Sequence, residues 1–188
     1  MFIQTEQTPN PQTLKFLPGK VVMEEGTAFY QNIDEAVDSP FAKRLFDIDG
    51  VEGVFFGSDF ITITKNEAYD WPVMKPSVLG GIIDHYNSND KTVEKVLSKE
   101  SENSLLKNED DSEIVKQIKE LLDTRVRPAV AMDGGDIIYN NFEDGVVYLK
   151  MQGACSGCPS STATLKMGIE NMLKHYIPEV QEVRPVDA

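Results

Sequence analysis

The chain has 188 residues, 40% of them apolar, and a formal net charge of -13. No apolar run approaches the ~20 residues that a membrane-spanning helix needs, and Lys and Arg nowhere cluster as phosphate contacts require, so no membrane segment and no nucleic-acid partner is expected. The length suits one large or two small domains, and two are expected.

The acidity is uneven, at -7 over residues 1–86, -3 over 87–111 and -3 over 112–188. The start, Met-Phe-Ile-Gln-Thr-Glu-Gln-Thr-Pro, has neither the basic and apolar regions of a signal peptide nor the Arg-rich character of a transit peptide. The protein is therefore expected to stay where it is made.

Phe2 to Thr5 and Thr13 to Leu17 read as strands around a Thr-Pro-Asn-Pro turn, where Pro9 and Pro11 forbid regular ladder pairing. Lys20 to Met23 is a further short strand candidate. Ser39 caps a helix that starts with Pro40 and runs through Phe46. Val51 to Phe56 and Phe60 to Thr64 flank Gly57-Ser58-Asp59 as a hairpin. A second helix starts near Asp70, with Val78, Leu79, Ile82, Ile83 and Tyr86 at helical spacing. Gly80-Gly81 is expected to allow close packing against the sheet. Residues 1–86 form a small α+β domain with one histidine, His85, and no catalytic constellation.

Residues 87–111 are rich in charge, Ser and Asn and carry no aromatic. Such a segment gains too little from burial to offset the entropy of ordering, so a flexible linker is expected, with a short helix around Val93 to Leu97 as an option. The second domain, 112–188, is led into by Asp110, three residues before Glu113, as a capping box. A helical face of Ile114, Val115, Ile118, Leu121 and Leu122 follows and ends before Pro128. After the turn Met132 to Asp136, Ile137 to Phe142 and Val146 to Met151 form a hairpin through Glu143-Asp144-Gly145. Pro159 starts a helix that runs to about His175, and Val180 to Val183 reads as a last strand. The fold class is α+β: two small sandwich-like domains joined by a linker.

Between the last hairpin and that helix lies Gly153-Ala-Cys155-Ser-Gly-Cys158-Pro159, which holds both cysteines of the chain. Two thiols two residues apart can share a metal, a cluster or a disulfide. A helix N-terminus favours thiolate, so an exposed, partly ionised pair is expected. Iron-sulfur clusters and structural zinc each commonly take four protein ligands, and one chain supplies two cysteines. About 17 residues of helix put His175 roughly 25 Å from Cys158, so two chains, each giving Cys155 and Cys158, close the set most simply. Met132, Met151, Met167 and Met172 are expected to fill core, and Asp133 and Asp136 to serve the turn. Three other readings stay open: a thioredoxin-like dithiol oxidoreductase, a zinc-linked dimer and a buried inert pair.

The segments Asp-Gly-Gly-Asp-Ile and Gly-Ala-Cys-Ser-Gly-Cys-Pro-Ser-Ser-Thr-Ala-Thr-Leu-Lys-Met-Gly-Ile-Glu resemble the NifU C-terminal domain. The segments Gln-Thr-Pro-Asn-Pro-Gln-Thr-Leu-Lys-Phe-Leu-Pro-Gly and Trp-Pro-Val-Met-Lys-Pro-Ser-Val-Leu-Gly-Gly-Ile-Ile-Asp resemble the N-terminal domain of Nfu proteins. The resemblance implies a non-enzymatic iron-sulfur cluster scaffold or carrier. It implies that Cys155 and Cys158 bind a 4Fe-4S cluster shared with a second copy of the chain. The cluster would come from upstream assembly proteins and pass to apo iron-sulfur proteins, with the N-terminal domain recognising the recipients. A bacterial cytoplasm is the expected location, or the mitochondrial matrix for a mature eukaryotic form. Cys155→Ser and Cys158→Ser are each expected to lose the cluster and stay folded, since neither thiol is expected to anchor the core.

Overall fold

The computed structural model describes residues 2–88, 90–93, 112–156 and 159–186. The chain divides into two compact units, within Met1–Ser98 and Lys99–Ala188. Each mixes strands with helices, as an α+β fold does.

The first unit is built on five antiparallel strands, β1 (Gln4–Gln7), β2 (Thr13–Leu17), β3 (Ala28–Tyr30), β4 (Val51–Phe56) and β5 (Ile61–Lys65), in the order β1-β2-β5-β4-β3. Register explains the core. Leu14 pairs with Ile63 and Phe16 with Ile61, and across β5 the same residues meet Val54 and Phe56. Side chains alternate faces along a strand, so these six line one face. The helices α1 (Pro40–Phe46) and α2 (Trp71–Ser88) cover it with Phe41, Leu45, Val78 and Ile82. On the other face Phe55 is buried beside Phe29 and Phe60, and the Lys15 ammonium lies 4.6 Å from the centre of the Phe60 ring.

Local chemistry sets the boundaries. The Ser39 hydroxyl accepts the Ala42 N–H at 3.0 Å, so α1 begins where a capping serine precedes proline. Lys20 to Met23 is not a strand. The N–H groups of Val22 and Met23 donate to Ser58 O at 2.8 and 3.3 Å, and Ala28–Tyr30 takes the sheet edge instead. A side chain on Gly81 would face Leu45 on α1 and Ile48 just after it, and one on Gly80 would meet nothing within 4 Å, so neither glycine serves an approach to the sheet. Residues 90–93 also belong to this unit: Ser39 Oγ donates to Thr92 O at 2.5 Å, and Val93 packs on the core. The rest of the expected linker, Asn89 and 94–111, lies outside the described residues, as does most of the optional helix there.

The second unit starts with α3 (Glu113–Leu121), capped by Ser112, whose hydroxyl accepts the Val115 N–H. Asp110, the expected cap, is outside the described residues. The helix does not stop before Pro128. It widens into a π-turn over Leu122–Val126 and resumes as α4 (Arg127–Met132), where Pro128 sits in the first turn and its missing N–H does no harm. The strands β6 (Gly135–Glu143) and β7 (Val146–Gly153) form a hairpin closed by Asp144 and Gly145, both at positive φ. Next come α5 (Pro159–Tyr176) and β8 (Glu182–Val186), which pairs parallel to β7. Glu170 on α5 accepts the Val183 N–H at 3.1 Å and the Lys174 ammonium at 2.6 Å, which ties β8 to the helix and holds that carboxyl below its usual range. The core is aliphatic: Ile118, Leu122, Ile137, Leu149, Leu173 and Val183 are its buried centre.

Candidate functional site

The cysteine turn sits where β7 hands the chain to α5, at the carboxyl end of a strand in a strand-helix-strand unit. Three backbone features shape it. Gly134 and Gly153 take φ of +84° and +64°, which side-chain-bearing residues rarely adopt. The Ala154 N–H donates to Gly134 O at 3.1 Å, and the Ser156 N–H to Gly153 O at 3.0 Å. The Thr162 hydroxyl on α5 donates to Cys155 O at 3.2 Å. The turn is thus fastened to the start of β6 on one side and to α5 on the other.

Cys155 corrects the expectation of an exposed, partly ionised pair. It is 6% exposed and belongs to the aliphatic core. Burial pushes its thiol up to about 12, and the nearby Asp133 and Asp136 carboxylates add to the rise. A neutral S–H packs as a small hydrophobe, and the sulfur finds room because Gly135 has no side chain. A Cβ there would lie 2.6 Å from Cys155 Sγ and 2.7 Å from Gln152 O. The expectation that neither thiol anchors the core therefore fails for Cys155. Cys158 lies outside the described residues. Among the described residues no three His, Cys, Asp or Glu side chains gather as a metal cage.

Asp136 does more than serve a turn. It is 4% exposed, and its carboxylate accepts Arg127 Nε at 2.9 Å, Arg127 Nη2 at 2.8 Å and the Ile137 N–H at 2.8 Å. Arg127 also donates to Asp123 at 3.0 Å, one helical turn back. These partners hold the guanidinium well above its ordinary pKa. The π-turn ends immediately before Arg127. Opposite Asp136 in register, Gln152 is buried, and its Oε1 meets no donor among the described residues. Met151 is buried as expected, whereas Met132 and Met167 are 77% and 62% exposed because they fall on solvent-facing positions of α4 and α5.

The sequence marks Gly135 only as a turn glycine and leaves Arg127 unmarked. The available signal was the glycine pair before a strand, which marks a place where another part of the chain comes close. An arginine's distant aspartate has no such local mark.

Two family descriptions match the chain: Scaffold protein Nfu/NifU N terminal over residues 3–89, and NifU-like domain over residues 118–184. NifU-like protein 4, mitochondrial, of Arabidopsis thaliana is 53% identical over 185 residues, covering 97% of this chain and 65% of its own length. The NFU1 iron-sulfur cluster scaffold homolog, mitochondrial, of Homo sapiens is 52% identical over 187 residues, covering 99% of this chain and 72% of its own length. The chain thus spans about two thirds of the length of these curated relatives. A solution structure of a NifU-like protein from Saccharomyces cerevisiae has 27% identity and a TM-score of 0.46, covering 51% of this chain and 87% of its own.

Proposed function

The chain belongs to the Nfu/NifU scaffold family, and from that premise we propose that it is an iron-sulfur cluster scaffold and carrier rather than an enzyme. The observation that carries this reading is the order of the two matched segments together with the relatives' printed role. The cysteine turn then supplies the ligands. Cys155 and Cys158 of one chain provide half of a four-thiolate set, and a second copy provides the rest. A 4Fe-4S cluster is the cargo of such a set, received from assembly proteins and passed to apo-proteins. Residues 1–93 act as the Nfu-type domain that meets recipients, 94–111 as the linker and 112–188 as the cluster-binding domain. The relatives' names favour a mitochondrial location over a bacterial cytoplasm.

Burial of Cys155 bears on this reading. Its sulfur faces core, so sharing a cluster with a second copy requires the turn to release it. The same burial speaks against the thioredoxin-like alternative, whose attacking thiol needs a lowered pKa and access to solvent. Among the described residues no helix is long and apolar enough to cross a membrane.

Anaerobic reconstitution with iron and sulfide tests the proposal. The wild-type chain should gain broad visible absorbance and bind acid-labile sulfide, and Cys155→Ser and Cys158→Ser should each lose both. A colourless wild type that catalyses disulfide reduction, or variants that keep full iron and sulfide, would defeat it.

A further inference from the structure

We propose that Gly135 is a positioning residue for Cys155: its missing side chain forms the seat that holds that sulfur in the core and shields it from reagents in solution. The inference rests on the carrier reading for its purpose, but not for its test.

The walls of the seat are backbone. A Cβ at Gly135 would meet Cys155 Sγ at 2.6 Å, Gln152 O at 2.7 Å and Cys155 N at 3.1 Å, all closer than the ~3.5 Å at which non-bonded heavy atoms settle. Only glycine leaves this space. Gly135 is the first residue of β6 and pairs with Gly153 on β7, so the seat is framed by a two-strand ladder. Inside it the sulfur joins a core that includes Met151 and Ile169. A thiol at 6% exposure cannot present itself to a cluster held between two chains. What keeps Cys155 in place beyond packing is a few single bonds of the turn, among them Thr162 Oγ1 to Cys155 O and Ser156 N to Gly153 O. Those can open while the ladder stays intact. The arrangement suits a protein that must keep a reactive ligand from oxidation and stray disulfides and still surrender it to cargo.

The test uses the full cargo-free chain, pulsed with iodoacetamide and read by peptide mass spectrometry so that Cys155 and Cys158 are followed separately. Folded wild type should modify Cys155 at least about tenfold more slowly than the urea-unfolded chain, the protection expected of a site that opens only locally. Gly135→Ala, with its cooperative melt checked, should raise the Cys155 rate toward the unfolded value and leave Cys158 unchanged. Wild-type Cys155 reacting at the unfolded rate, or a folded Gly135→Ala with undiminished protection, overturns the proposal. Should Gly135→Ala not fold, Cys155→Ala decides: an emptied seat lowers the melting midpoint of the second unit, and an unmoved midpoint refutes the seat. Reconstitution separates the two ideas. A protected Cys155 in a chain that takes up no iron or sulfide keeps the seat and removes the carrier, and an unprotected Cys155 in a chain that loads does the reverse.

Discussion

The two units solve the packing problem with different materials. The first buries aromatic rings from a five-stranded sheet, with Phe16, Phe41, Phe55 and Phe56 all at most 1% exposed. Among the described residues the second has three strands, an aliphatic core, and buried polar groups gathered at one end: Asp136, held by the partly exposed Arg127, Gln152, and the Cys155 thiol. The comparison separates a unit that gains stability from apolar area from one that holds its polar groups near the cysteine turn. Buried polar groups stabilise only while their partners stay in place. The first unit buries polar side chains as well, among them Thr13, Ser39 and His85, so the contrast lies in where the polar groups sit rather than in how many each unit holds.

The largest effects break the comparison from each side. Phe41 stacks on Phe56 at 5.1 Å and on the His85 ring at 3.7 Å. Phe41→Ala is expected to cost about 3–5 kcal/mol, confined to the first unit. Trp71, the sole tryptophan, lies there and reports it by fluorescence. Arg127→Ala strands a buried carboxylate and is expected to cost about 3–5 kcal/mol in the second unit, with the Trp71 transition unmoved. Removing the half-exposed arginine of the first unit, Arg44, which meets Asp90 at 3.4 Å, should cost at most about 1 kcal/mol. Chemical denaturation followed by both fluorescence and circular dichroism checks all three.

Opposite responses to pH sharpen the contrast. His85 is 2% exposed, and burial first, then Arg44, brings its pKa from 6.5 down to about 4. The unfolded chain binds that proton first, so the contribution is full above pH 6.5 and is lost as pH falls toward 4. Cys155 has the reverse sign. Its pKa rises from 9.0 to about 12, so the contribution is full below pH 9 and is lost as pH climbs toward 12. Each linkage is on the order of 3 kcal/mol. Acid should therefore loosen the first unit and mild alkali the second. Tyr30, also raised by burial and by Asp38, adds alkaline loss in the first unit only above pH 10. Melts across pH 4–10, read by Trp71 and by circular dichroism, test the assignment, and a first unit indifferent to pH between 4 and 6.5 would contradict it.

Helix caps extend the contrast to smaller groups. Ser39 is fully buried and both caps α1 and donates to Thr92 O, whereas Ser112 is exposed and makes one long cap bond. Ser112→Ala should cost about 0.5–1 kcal/mol and Ser39→Ala about 2 kcal/mol.

These features differ in how far the chain announces them. The Ser39-Pro40 start, the Asp144-Gly145 hairpin and the Pro159 helix are local chemistry, and the structure shows each where its residues lead one to expect it. Lys20 to Met23 misleads because a strand also needs a neighbour, and Ser58 O takes its N–H groups instead. Pro128 misleads because a π-turn absorbs it. The family likeness and the cysteine spacing were legible from the residues alone. The inward turn of Cys155 was not, since it depends on a missing side chain 20 positions earlier.

The central claim is that two chains share one cluster through four thiolates, and a native mass spectrum of the anaerobically reconstituted protein tests it most directly. The account predicts a dimer whose added mass is that of about four iron and four sulfide, absent from Cys155→Ser and Cys158→Ser. A single chain that retains iron and sulfide by itself, or a dimer whose added mass is zinc, would contradict it.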